Sequence, residues 1–148
     1  MINVREATAA DIVHFITLGR TFAALAGEPF DRDSAGAHMD WILENDDAVA
    51  FLATDIEGKA VGVAGAMCFP TLWDSSKLLA TELWWYVAPE ARNDGVGAAL
   101  MDALESWAQE AGAYRLLMLS IVGLTDGIEK AYIKRGYVAH EQSYMKEF

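Results

Sequence analysis

Apolar residues recur at helical spacing in some stretches of the chain and at strand spacing in others. Met1 to Thr8 alternates in polarity like a first strand. Thr8 or Asp11 can cap a helix that carries Ile12, Phe15, Ile16, Leu18 and Phe22 to about Ala26, where Gly27-Glu28-Pro29 breaks it. A second helix is predicted from Asp33 to Glu44, followed by the turn Asn45-Asp46-Asp47. Ala48 to Thr54 and Lys59 to Phe69 read as two strands of a hairpin joined by Asp55-Ile56-Glu57-Gly58. Pro70 has no N–H for a ladder and closes the second of them.

Leu78 to Ala88 is the fourth predicted strand. Glu82, Trp84 and Tyr86 alternate there with Leu83, Trp85 and Val87, which puts Glu82 and Tyr86 on one face. Gly95 to Ala111 is an amphipathic helix, with Gly97, Leu100, Met101, Leu104 and Ala108 on one side and Asp102, Glu105 and Gln109 on the other. Tyr114 to Val122 is nearly continuous apolar sequence, as in a strand covered on both faces. Asp126, with Glu129 three residues on, opens a short helix through an acidic variant of the capping box, and Gly136 ends it. Tyr137 to Phe148 reads as two short strands or one bent hairpin. The order β-α-α-β-β-β-α-β-α-β-β predicts a single α/β domain over residues 1–148. Its mixed, partly antiparallel sheet would have six to seven strands flanked by about four helices.

Composition narrows the function classes. With 11 basic and 22 acidic side chains the net charge is −11, which argues against nucleic acid as the main ligand. The acidity suits a cationic acceptor such as an amine, and equally suits simple solubility. No apolar run approaches the roughly 18 residues of a membrane helix, so no membrane partner is expected, and the N-terminus lacks the pattern of a signal peptide. Cys68 is the one cysteine, within the apolar run Val61 to Phe69. It reads as a small buried hydrophobe, compatible with a reducing, cytoplasmic setting. His14, His38 and His140 are scattered without metal-ligand spacing, so no metal is expected.

The stretch Val87 to Leu100 carries the candidate chemistry. A strand ends, Pro89 stops it, and a glycine-bearing turn opens a long helix. The first N–H groups of a helix have no intrahelical partners and lie at the positive end of its dipole, so they can bind an anion. Gly95 and Gly97 leave the backbone open to a phosphate. The same spacing also suits a tight turn with close helix–sheet packing. A dinucleotide G-x-G-x-x-G matches poorly, because Leu100 takes the third glycine position.

Two motifs resemble the GNAT superfamily of acyl-CoA N-acyltransferases. Arg92-Asn93-Asp94-Gly95-Val96-Gly97 fits the family's Q/R-x-x-G-x-G/A, and Tyr132-Ile133-Lys134-Arg135-Gly136-Tyr137 is similar to its tyrosine placed before a glycine–aromatic pair. Asn93 and Asp94 stand where the family often has a glycine and a basic residue. Thr125 stands where it often has an asparagine.

The resemblance implies an N-acetyltransferase that moves the acetyl group of acetyl-CoA to a primary amine by direct attack. Acetyl-CoA would lie in a V-shaped split between the fourth and fifth strands. The pyrophosphate would rest on Arg92, Asn93, Asp94, Gly95, Val96, Gly97 and Ala98, with Thr125 near the cofactor arm and the Val87 N–H polarising the thioester carbonyl. Tyr132 takes the general-acid position and Glu82 a candidate base position, with Tyr86 lining the acceptor cleft. The region around Phe22, Glu28, Phe30, Asp31, Asp33 and Trp41 would shape the site for a small-molecule or peptide amine. Family members are often homodimers. The alternative is a catalytically weak or inactive CoA-binding or regulatory module on the same fold.

Overall fold

Val49, Phe51 and Ala53 face one side of their strand and Ala50 and Leu52 the other, and both sides are buried. That strand, β2 (Ala48–Thr54), therefore lies inside a layered structure. The structure is a computed structural model describing residues 1–124 and 127–148. In chain order it forms β1 (Asn3–Glu6), α1 (Ile12–Ala26), α2 (Arg32–Glu44), β2, β3 (Ala60–Pro70), β4 (Leu78–Val87), α3 (Val96–Glu110), β5 (Ala113–Leu117) and α4 (Ile128–Lys134). The strands lie in the order β1-β2-β3-β4-β5, antiparallel as far as β4, with β5 parallel to β4.

Each face of the sheet has its own core. Leu100 and Leu104 of α3 pack with Val49, Phe51, Val61 and Ala64 on one face. Phe15 of α1 and Met39 and Ile42 of α2 pack with Leu52, Val63 and Tyr86 on the other. Asp11, buried just before α1, accepts two hydrogen bonds from the Arg5 guanidinium at 2.7 and 2.9 Å and one from the Thr8 N–H, which ties β1 to the start of α1. Arg5 and these hydrogen bonds hold the Asp11 carboxyl well below the usual carboxylate range.

The structure corrects four expectations. The sheet among the described residues has five strands, not six to seven. Residues 138–148 form no strand, and Val138, Tyr144, Met145 and Phe148 stand exposed. With these apolar side chains all turned to solvent, no face of the segment packs on the sheet to hold a strand there. β5 stops at Leu117, well short of Val122, and Tyr114 and Arg115 are exposed rather than covered on both faces. Finally, Ala9–Ala26 reaches a mean hydropathy of 1.2 over 18 residues, so one helical stretch is long and apolar enough by length and composition to span a membrane. Here its Ile12, Phe15, Leu18 and Phe22 side packs on the sheet. The expected Asp126 cap lies outside the described residues; α4 begins after Gly127.

The seating of α3 depends on a missing side chain. A Cβ at Gly62 of β3 would lie 2.9 Å from Val96 Cγ1 and 3.0 Å from Leu100 Cδ1, so the first turn of α3 rests directly on the strand. Gly62→Ala is expected to lower stability by about 1–3 kcal/mol in urea unfolding, because the helix must lift to admit the methyl. An unchanged midpoint would show that this contact does not seat α3.

Candidate active site

β4 changes face halfway along its length. Opposite β3, Gly65 pairs with Trp84 and Ala66 with Glu82, so Leu83 is an extra residue, a β-bulge. Ala80 before it and Trp85 and Val87 after it face α3, whereas Leu83, Trp84 and Tyr86 face α1 and α2. Glu82, paired with Ala66, lies on the α3 side. Strict alternation predicts Glu82 and Tyr86 on one face; the bulge puts them on opposite faces. Gly65 makes room for it, since a Cβ there would lie 2.5 Å from the Trp84 ring.

Immediately before the bulge the sheet opens. The pairing of β4 with β5 ends at Thr81 and Leu117, and β4 runs on to Val87 without a neighbour on that edge among the described residues. The Leu119 N–H donates instead to Glu82 Oε2 at 2.9 Å, so a side chain takes the next rung of the ladder. The Tyr132 hydroxyl, from α4, donates to the Leu119 carbonyl at 2.6 Å. Both catalytic candidates thus meet at one residue's backbone. Burial raises the Glu82 carboxyl to about 7, against the opposing effect of the Leu119 hydrogen bond. Burial first, then the charge of Glu82, pushes the Tyr132 phenol above its ordinary value.

The Ala88 N–H donates to Val61 O of β3 at 2.9 Å. Alternation along the strand therefore turns the Val87 N–H the other way, toward the split. Beyond Val87, Arg92 Nε donates back to the Val87 carbonyl at 3.2 Å. Asn93 has φ 73° and Gly95 φ 84°, left-handed conformations that turn the chain into α3. No side chain caps α3, and the Ala99 N–H bonds to Gly95 O, so the preceding N–H groups of Val96, Gly97 and Ala98 have no helical acceptor. The Val96 side chain is core, while Arg92, Asn93, Asp94 and Ala98 are exposed. A Cβ at Gly97 would lie 3.2 Å from Trp85, so this glycine serves tight packing as well as an open backbone. Thr125 lies outside the described residues.

Such a splayed pair of strands, with an uncapped helix at its mouth, can hold a phosphate-bearing chain against β4. A sequence model of the acetyltransferase (GNAT) family matches residues 16–137. The chain belongs to this family. It is similar to the aminoglycoside N(6')-acetyltransferase type 1 of Stenotrophomonas maltophilia, 28% identical over 117 residues that cover 77% of this chain and 72% of that one. AAC(6')-Iy, solved with the bisubstrate analogue CoA-S-monomethyl-acetylneamine, superposes with a TM-score of 0.82 at 19% identity, covering 100% of this chain and 98% of its own. A transcriptional regulator from Bacillus halodurans does so at 0.82 and 20% identity, with both chains fully covered. Members of the GNAT family are acetyl-CoA-dependent N-acetyltransferases, and the split and the turn are of the kind that cofactor requires.

This GNAT chain adds parts that the motifs did not announce. Arg135 bonds Glu105 at 2.9 and 3.0 Å and also Asp102, and the Tyr137 hydroxyl donates to Glu105 at 3.0 Å, which pins α4 to α3. The Tyr132 ring lies between Trp85 and Tyr137, with centroids 5.9 and 5.6 Å away. Leu119 acts through its backbone, which leaves no signal in the sequence. On the other face, α1, α2 and β4 border an open cavity of about 300 Å³. Phe22 and Phe30 line it, and Trp41 does not. Glu28 and Asp33 are exposed, and Asp31 caps α2 by accepting from the Ser34 N–H.

The raised Glu82 carboxyl has a thermodynamic consequence. Its folded pKa exceeds the unfolded value of 4.5, so the folded state holds this proton more tightly, and its contribution to stability is lost as pH rises from 4.5 to about 7. Glu82→Gln keeps an acceptor for the Leu119 N–H and removes that loss. The variant should gain on the parent by up to roughly 3 kcal/mol between pH 4.5 and 8, read by urea unfolding at each pH. A constant difference across that range would place Glu82 in a more solvated setting.

Proposed function

We propose that this chain transfers the acetyl group of acetyl-CoA to a primary amine by direct attack, with Glu82 as base and Tyr132 as acid. The observation that carries this reading is the convergence of Glu82 and Tyr132 on Leu119 at the point where β4 and β5 part. The free N–H groups of Val96, Gly97 and Ala98 suit the pyrophosphate, with Arg92 beside them. The Val87 N–H, turned into the split, suits the thioester carbonyl. Bound there, acetyl-CoA supplies the activated acyl group.

An alkyl amine has a pKa near ~10 and arrives protonated, so it must lose a proton before it can attack. The Glu82 carboxyl, raised to about 7 by burial, is poised to take that proton near neutral pH, directly or through a water. The Tyr132 phenol keeps its proton at working pH, because burial and Glu82 oppose its ionisation. Rotation of its O–H away from the Leu119 carbonyl makes that proton available to the departing thiolate. No side chain is acylated. Cys68 is buried, and burial pushes its thiol above the ordinary value.

Calorimetric titration with acetyl-CoA, followed by thiol release with an amine, tests this reading. Micromolar binding is expected. Glu82→Gln should lower kcat by about a hundred- to ten-thousand-fold, abolish a rate limb near pH 7, and leave acetyl-CoA affinity intact. Asp94→Asn, which removes a negative charge beside the turn, should tighten acetyl-CoA about two- to fivefold at low salt. Absence of binding would remove the cofactor reading. Binding without turnover on any amine would leave the second reading, a CoA-binding module.

A further inference from the structure

The cavity between α1, α2 and β4 lies on the opposite face of β4 from Glu82 and includes Tyr86, the residue before Val87, in its wall, and its walls carry a distinct chemistry. Phe15, Phe22, Phe30, Met39, Trp84 and Tyr86 are among its lining residues. No Asp, Glu, Lys or Arg side chain is among its lining residues; His38, exposed at the rim, is the one imidazole. The Tyr86 ring stacks on Phe22 with centroids 5.3 Å apart, and Trp84 meets Phe15 edge-on at 6.1 Å, so the walls are held by their own ring contacts. Two polar atoms on these wall side chains, the Tyr86 hydroxyl and Trp84 Nε1, are buried without a hydrogen-bond partner. Buried polar atoms in that state call for a ligand group or a water.

Resting on the acetyl-transfer reading above, we propose that the acceptor is a small primary amine carried on an aromatic or compact apolar body, which fills this cavity. Roughly 150 Å³ of apolar cavity suffices for benzene, so about 300 Å³ accommodates a ring with a short aminoalkyl arm or a fused pair of rings. A polycationic acceptor would place several ammonium groups against aromatic walls with no carboxylate to pair them, a heavy desolvation cost. Two acids do not relieve that cost: Asp31 accepts from the Ser34 N–H at the start of α2, and Glu82, on the other face of β4 beside the split, can take the proton of one amine only.

The same walls favour the uncharged amine, which is the form that attacks. The place of Tyr86 in the wall sets the direction: the next residue along the strand, Val87, turns its N–H into the split where the thioester belongs. An aromatic body held against Phe22 and Trp84 therefore directs its amino end toward the reacting carbon.

Thiol-release rates with acetyl-CoA on phenethylamine, tryptamine, spermidine, kanamycin and a short peptide with a free N-terminal phenylalanine test this assignment. Calorimetry with phenethylamine alone gives a readout that does not need turnover. The expected result is a kcat/KM for the two aryl amines about 50-fold or more above spermidine and kanamycin. Ala35→Phe, which fills the cavity from α2, should raise KM for phenethylamine about tenfold or more and weaken its direct binding, with acetyl-CoA affinity unchanged. If that variant fails to fold, Gly19→Ala reads the same loss on a smaller scale, since its added methyl would lie 3.9 Å from the Phe30 ring. Faster turnover of kanamycin or spermidine, a preference for the peptide, or indifference of aryl-amine binding to both variants would each overturn the proposal while leaving acetyl transfer standing. Failure to bind acetyl-CoA would overturn the acetyl-transfer reading, and aryl-amine binding would then still report on the cavity.

Discussion

Once β5 leaves β4 after Thr81 and Leu117, the edge of β4 is open as far as Val87, and every part of the candidate site is arranged around that opening. Parallel strands that part in mid-sheet expose N–H and C=O groups that must find other partners. Glu82 meets part of that need by accepting from Leu119, and the position that lets it do so is also the one that buries it. The raised carboxyl is therefore a by-product of how the sheet is held open. Tyr132 closes the arrangement from α4, and it reaches Leu119 because Arg135 and Tyr137 anchor that helix to Glu105.

The glycines around α3 show why packing and ligand binding are hard to separate from sequence. Gly97 reads equally as a bare amide for phosphate and as a place where a helix meets a sheet closely, and both descriptions hold at once, because Trp85 fills the space a side chain would need. Gly95 is more specific. Its left-handed φ of 84° and its lack of a side chain leave the first turn of α3 uncapped. Together with Gly62 under Val96, these residues set the helix N-terminus against the strand whose Val87 N–H faces the split.

Periodicity located most of the elements, because β2, β3 and α3 have strong patterns and clear punctuation. The turn from Arg92 to Gly97 and the tyrosine before Gly136-Tyr137 were legible as motifs. Face assignment along β4 was not, since no glycine or proline marks Leu83 and an extra residue within an apolar strand leaves no trace in alternation. The role of Leu119 was invisible because a backbone contact is independent of side-chain identity. The last residues misled for the opposite reason: a plausible strand pattern from Tyr137 onward finds no packing partner, and its large apolar side chains stay exposed.

The extra residue at Leu83 also sets how such an enzyme can diversify. Because it reverses the parity of β4, Trp84 and Tyr86 face α1 and α2, while Glu82, Trp85 and Val87 face α3. Adjacent codons thus answer to separate selective pressures. Replacements at position 84, or on the facing sides of α1 and α2, can reshape the cavity while the face packed on α3 keeps its own residues.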